Sequence, residues 1–307
     1  MASLRLVKRR IKSAKNISQV TKALQMVSAV KMRKTQEAAL AGKPYSAEIR
    51  KVLANLSGKV DKDLHPFLTP RPEIKKVMVV VIGTEKGLAG SLVTNLARKV
   101  FSVKQQIGKG KLKLDETENT EIILSPDVQV AGVSWGKKAR EIFKKVGWTA
   151  VADFTTKTKE PLEDMIRTLN NLLSKSYLSG EADLVIIIFS NFINTMTQKP
   201  TAIQFLPMTS QEYESGNGTQ YKLMVNFEPS PEIVLSSLLE HYLKIVLSQI
   251  IFDSQAAEHS ARMVAMKNAN DNANEIIKEL TVTYNQTRQT IITNEIADIV
   301  SGSLASV

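Results

Sequence analysis

The chain has 307 residues, enough for two domains, and no cysteine, which removes disulfides, thiol catalysis and thiolate metal sites together. Its three histidines, His65, His241 and His259, are scattered and make no metal-ligand spacing. The formal net charge of +11 is concentrated at one end: the first 36 residues carry ten Lys and Arg and no Asp or Glu, and the remainder is almost neutral.

Residues 1–41 contain neither Gly nor Pro, and the first breakers are Gly42 and Pro44. Leu4, Val7, Ile11, Ala14, Ile17, Val20, Leu24 and Val27 are spaced by threes and fours, which predicts a helix with a narrow apolar seam of coiled-coil type. Three readings compete for its basic surface. A transit peptide would be acid-poor and amphipathic, but the pattern runs on past Met32 without a cleavage-like break. Nucleic-acid binding would want aromatic platforms, and the first aromatic is Tyr45. An acidic protein surface or anionic membrane would also suit it, while a merely solvated face would mix both signs.

The chain then continues as a helix near 47–56 and a loop holding His65, Pro66, Pro70 and Pro72. Residues 76–83 (KVMVVVIG) read as a buried strand, 84–90 (TEKGLAG) as a loop, and 91–106 as a helix that Ser91 is placed to cap. Residues 108–121 are polar and read as an exposed excursion. Strands at 127–133, 149–154 and 183–189 alternate with helices at 137–146 and 160–178, and 201–206 with 221–227 form a last pair on one edge. The alternation predicts an open, mainly parallel α/β sheet. The glycine loop after the first strand has neither the Lys-Ser/Thr of a P-loop nor the G-x-G-x-x-G order, so a tight βα turn is the better account. No catalytic constellation stands out.

From Glu232 to Ser301 there is again no Gly or Pro. A single helix of that length would run about 100 Å at 1.5 Å per residue, far beyond a globular core. Ala273, Ile277, Leu280, Tyr284, Thr287 and Ile291 keep a seam rhythm, so the two ends are expected to pair as an antiparallel coiled coil. The apolar stretch 233–252 is interrupted by Glu240, His241 and Lys244 and reads as a helix covered by protein rather than a membrane span. No secretory pattern opens the chain, which reads as intracellular. The expected class is therefore α/β: a long antiparallel coiled coil of N- and C-terminal helices plus a central open α/β, Rossmann-like domain. The divisions are 1–58, 59–228 and 229–307.

Both ends carry longer motifs. Residues 17–36 (ISQVTKALQMVSAVKMRKTQ) resemble the N-terminal signature of the γ subunit of F-type ATP synthases. Residues 258–274 (EHSARMVAMKNANDNAN) and 284–302 (YNQTRQTIITNEIADIVSG) resemble its C-terminal signature. Residues 87–90 (GLAG) and 191–198 (NFINTMTQ) are similar to its internal motifs, nearer the bacterial form. Ala89 stands where many members have Cys, and 108–131 is longer than the usual bacterial pattern.

The resemblance implies a non-catalytic central rotor stalk that couples proton flow to ATP synthesis or hydrolysis. One copy would stand inside a ring of three α and three β subunits, on the c-ring with the ε subunit, peripheral to the cytoplasmic face of a bacterial plasma membrane. It implies no cofactor, no metal and no nucleic acid. Matching by motif, Arg288, Gln289, Thr293 and Glu295 would contact β. Met26 with Lys22, Lys31, Arg33 and Lys34 would face acidic β loops. Arg262 would belong to a coupling region, and Ile292, Ile296, Ile299, Val300 and Leu304 would form an apolar bearing tip. The alternative is a basic coiled-coil protein that binds nucleic acid.

Overall fold

The computed structural model describes residues 4–57, 65–115, 121–155, 160–208 and 230–305. Two helices dominate: α1, Leu4–Ser57, of 54 residues, and α5, Pro231–Ala305, of 75 residues. Between them lie β1 (Lys76–Ile82), α2 (Leu92–Gly108), β2 (Lys111–Lys113), β3 (Glu121–Ile123), β4 (Gln129–Trp135), α3 (Lys137–Val146), β5 (Thr149–Phe154), α4 (Leu162–Leu178), β6 (Leu184–Phe192) and β7 (Gln198–Leu206). By packing, the chain forms two compact units, one of residues 1–30 and 262–307 and one of residues 31–261. Both long helices contribute to both units, so packing draws its line through the helices, whereas the division at 58 and 228 separates helix from sheet along the chain.

In the larger unit five strands lie in the order β5-β4-β1-β6-β7. β1 pairs in parallel with β4 and β6, β4 in parallel with β5, and β7 closes one edge antiparallel to β6. The continuous apolar run of β1 follows from burial on both faces. Met78, Val80 and Ile82 enter a core with α4 and the helical residues Ile49, Leu53, Leu239, Leu243 and Leu247. Val77, Val79 and Val81 enter a second core under α2 and α3. The apolar stretch of α5 is thus built into protein at Leu235, Tyr242, Ile250 and Ile251, although a part of this helix is apolar and long enough by composition to cross a membrane.

Three expectations need correction, and a fourth is untested. α1 does not pause at Gly42 and Pro44. A helix-interior proline costs about 3 kcal/mol, but continuing the helix buries Ser46, Ile49 and Leu53, and each large apolar side chain returns about 1.5–3 kcal/mol. The polar segment 108–121 is not a plain excursion: β2 and β3 form an antiparallel hairpin whose Leu112, with Leu114 and Leu124, fills the second core. Asp115 beside it receives the Ala202 N–H at 2.7 Å, donates its own N–H to the Ala202 carbonyl at 3.0 Å and pairs with Lys99 at 2.6 Å, covering part of the β7 edge. Ser91 stands at the N-cap of α2 without making a side-chain cap bond. The strand expected at 221–227 lies outside the described residues.

Candidate functional site

In the smaller unit the buried positions of α1 are Val7, Ala14, Thr21 and Ser28, with Ile11, Ser18 and Gln25 half-buried between them. Steps of four and three hold throughout, a true seven-residue repeat. The predicted seam is right at Val7, Ile11 and Ala14 and then leaves the observed one: Ile17, Val20 and Val27 are more than half exposed, at 52%, 58% and 52%. The reason is size and polarity. The seam passes through small polar side chains that an apolar count does not see. On α5 the repeat holds Met266, Asn270, Ala273, Ile277, Leu280, Tyr284 and Thr287, as expected from Ala273 onward, but Ile291 is exposed.

Polar contacts tie this seam. Ser18 Oγ lies 2.8 Å from Asn270 Oδ1 and 2.9 Å from Asn274 Oδ1. One hydroxyl proton serves one oxygen, so the second asparagine is satisfied when its amide donates to the serine. A polar pair of this kind fixes register better than a row of leucines, at some loss of burial. Thr21 turns its hydroxyl to the Ile17 and Ser18 carbonyls. Gln25 Oε1 is buried without a hydrogen bond among the described residues.

Past Thr287 every described residue of α5 up to Ser301 is exposed. Arg288, Gln289, Thr293 and Glu295 sit there as solvent-facing polar groups, and Ile292, Ile296, Ile299 and Val300 as exposed apolar ones, with Ile299 at 71%. Leu304 is helical, but its side chain lies outside the described set. On α1, Lys22 and Met26 are exposed in the smaller unit. Lys31, Arg33 and Lys34 are exposed in the larger one, where Arg33 reaches Glu37 at 3.0 Å in a solvated pair. Arg262 differs from all of these because it is buried.

The larger unit adds contacts that sequence reasoning missed. The loop 87–90 is no phosphate cradle. Ala89 and Leu92 pack on Ala257 and Ala261 of α5, with Phe192 against them. Leu88 takes φ of 62°, a left-handed conformation costly for a leucine, and points into solvent so that Ala89 can point at the helix. Close by in α5, Ser260 Oγ donates to the Thr195 carbonyl at 2.8 Å and lies 3.4 Å from Gln198 Nε2. Thr195 is held in a turn where Asn194 Oδ1 accepts the N–H groups of Met196 and Thr197, at 2.9 and 2.8 Å. Two loops therefore grip one short stretch of α5 through small side chains. The available signal was the small residues Ser254, Ala257 and Ala261 (with Ala256 and Ser260), whose helical spacing marks close approach.

Electrostatics inside the unit are mild. Burial pushes the Asp253 carboxyl above its ordinary value against the opposing pull of Lys43, and burial lowers His65 while Glu240 raises it. Among the described residues no group of His, Asp and Glu could hold a metal.

A family model described as ATP synthase matches residues 3–305. The ATP synthase gamma chain of Glaesserella parasuis is 39% identical over 310 residues, covering 99% of this chain and 100% of the relative. That of Roseiflexus castenholzii is 38% identical and covers 99% of each. The chain belongs to the ATP synthase gamma chain family. Solved structures agree in fold. A rotor chain of Euglena gracilis mitochondrial ATP synthase, at 18% identity, matches with a TM-score of 0.59 over 94% of this chain and 98% of its own. A second, from the assembly titled OSCP/F1/c-ring, reaches 0.63 at the same identity over 98% and 94%.

Within the gamma chain family the two internal motifs acquire a structural meaning here: both are the loops that grip α5. Ala89 is a position that tolerates only a small side chain against Ala257. The reading of the basic helix as a nucleic-acid binder has no support from these relatives.

Proposed function

We propose that this chain is the central rotor stalk of an F-type ATP synthase and couples proton flow through the c-ring to ATP synthesis or hydrolysis at the β subunits. It is not itself an enzyme; members of the gamma chain family leave catalysis to the β subunits. The observation that carries the rotor role is the last part of α5, where a single helix without cover from α1 exposes Ile292, Ile296 and Ile299 beside Arg288 and Gln289. Exposed apolar side chains at this density call for a protein sleeve. A sleeve that grips them without specific pairing still lets them turn.

In this reading one copy stands in a ring of three α and three β subunits and rests on the c-ring with ε, peripheral to the cytoplasmic face of a bacterial plasma membrane. Arg288, Gln289, Thr293 and Glu295 meet the β loops. Lys22, Met26, Lys31, Arg33 and Lys34 pass acidic β segments, where the absence of any acid in residues 1–36 removes repulsion at every rotor angle. The helical segments 1–58 and 229–307 act as shaft and 59–228 as the head that receives torque. Buried Arg262 lies two residues past Ser260, in the segment where the shaft leaves the grip of the two loops.

The test is reconstitution. Co-expressed with α and β subunits of its own organism, the chain should purify at one copy per three of each, and ATP turnover should depend on it. A bead fixed to the head should rotate in ATP. A chain that stays out of the complex at every salt concentration would overturn the proposal.

A further inference from the structure

The two loops that grip α5 also carry apolar side chains outward. Leu88 is 66% exposed, Ile193 54% and Met196 77%. They leave from neighbouring points, because Phe192 packs on the same small cluster as Ala89. Leu88 is the informative one. Gly or Asn would hold its φ of 62° at less cost, and its exposed side chain gains nothing from the core. A strained residue that the fold itself does not use points to a use outside the chain. We propose that Leu88, Ile193 and Met196 are the apolar half of a docking site whose basic half is Lys31 and Lys34. Its occupant is an acidic segment of a β subunit that also carries an apolar side chain. The proposal rests on the rotor reading and deepens it.

The register of the two helices sets the height of the basic half. α1 and α5 run antiparallel in the larger unit, where Lys43 pulls on Asp253 and Gln249 Nε2 lies 3.2 Å from Ser46 Oγ. Counting back from Lys43 to Lys34, and forward from Asp253 to Ser260, brings these two residues within about 3 Å in height at 1.5 Å per residue. Lys34, with Lys31 one turn on, therefore stands level with the grip that holds both loops. Both lysines are exposed and make no ion pair among the described residues, while Arg33 is engaged with Glu37. The mixture decides the occupant. A purely apolar partner leaves two lysines unmatched, and a phosphate backbone sets charge against Leu88 and Met196. A second copy of this chain brings lysine against lysine. A polypeptide segment with both carboxylates and an apolar side chain matches each half.

The test is photocrosslinking in the complex assembled with α and β subunits of the same organism. A benzophenone side chain placed at Met196, and in a second preparation at Ile193, should on illumination capture one and the same acidic β segment, identified by mass spectrometry. The same side chain at Val151, on the edge strand β5, should not reach it. Leu88→Asn keeps a residue that tolerates the left-handed backbone and removes the apolar contact. It should leave the melting temperature of the isolated chain no lower and cut the yield from Met196 roughly fivefold. Lys31→Glu with Lys34→Glu should cut it by roughly the same factor, and Leu88→Met should keep it. Co-purification and ATP turnover are measured first. A chain that stays out of the complex counts against the rotor reading and this site together. An active complex in which the two probes reach different chains, reach a segment without acids or reach none, or in which both weakened variants give full yield, overturns the site alone.

Discussion

Two side chains show how locally stability is set. Asp253 is partly buried on α5, and its carboxyl is held above the ordinary value by desolvation, with Lys43 pulling it back. Between the unfolded and the raised folded value the native state binds more protons than the unfolded one, so this group favours folding at low pH, and that contribution falls as pH rises. Asp253→Asn should therefore raise the melting temperature at pH 7 and not at pH 3, as thermal scans of the isolated chain at the two values would show. Gln25 is the second case. Its Oε1 is buried without a hydrogen bond among the described residues. Gln25→Leu should stabilise the isolated chain by about 1 kcal/mol in urea titration, the lower end of the penalty for an unsatisfied buried acceptor. A loss of stability would mean that the oxygen finds a donor in solution.

Among the elements, the central strands were readable because β1, β4 and β6 are apolar runs with turn residues at their ends, and burial on both faces demands that composition. The long helices were readable from the absence of Gly and Pro. Other features were not. Ser18, Thr21, Ser28 and Asn270 form much of the seam, yet no hydrophobic pattern marks them. The β2–β3 hairpin hides in a charged segment because its burial rests on Leu112 in β2 and on Leu114 and Leu124 just beyond the strands. The proposed contact residues from Arg288 to Glu295 rest on motif resemblance and not on periodicity, since a partner outside the chain leaves no trace in its own packing. The seam itself can be tested. Ile277→Pro places a proline inside α5 at a half-buried seam position and should cost about 3 kcal/mol or more, with loss of helical circular dichroism.

At the scale of the whole molecule the rotor reading separates folding from work. Arg288→Ala with Gln289→Ala alters two exposed side chains, so the isolated chain should melt within about 0.5 kcal/mol of the parent. The assembled complex should lose torque in single-molecule rotation, because the proposed partners of both groups are found only there. Equal torque would remove these residues from the β contact. Ile296→Asp with Ile299→Asp should likewise spare the isolated chain and lower recovery of the complex, measured by its stoichiometry after purification.

The seven-residue repeat of the smaller unit has a mechanical consequence. A repeat of 3.5 residues per turn falls short of the 3.6 of a straight helix, and two helices that keep it wind about each other with left-handed sense. A rope with a handedness does not answer clockwise and anticlockwise twist alike. One sense tightens the winding and presses Val7, Ile11 and Ala14 into the opposing helix; the other slackens it and loads the Ser18–Asn270 link. The shaft should then be stiffer when driven in one direction than in the other. Synthesis and hydrolysis would therefore run on transmissions of unequal compliance built from the same two helices.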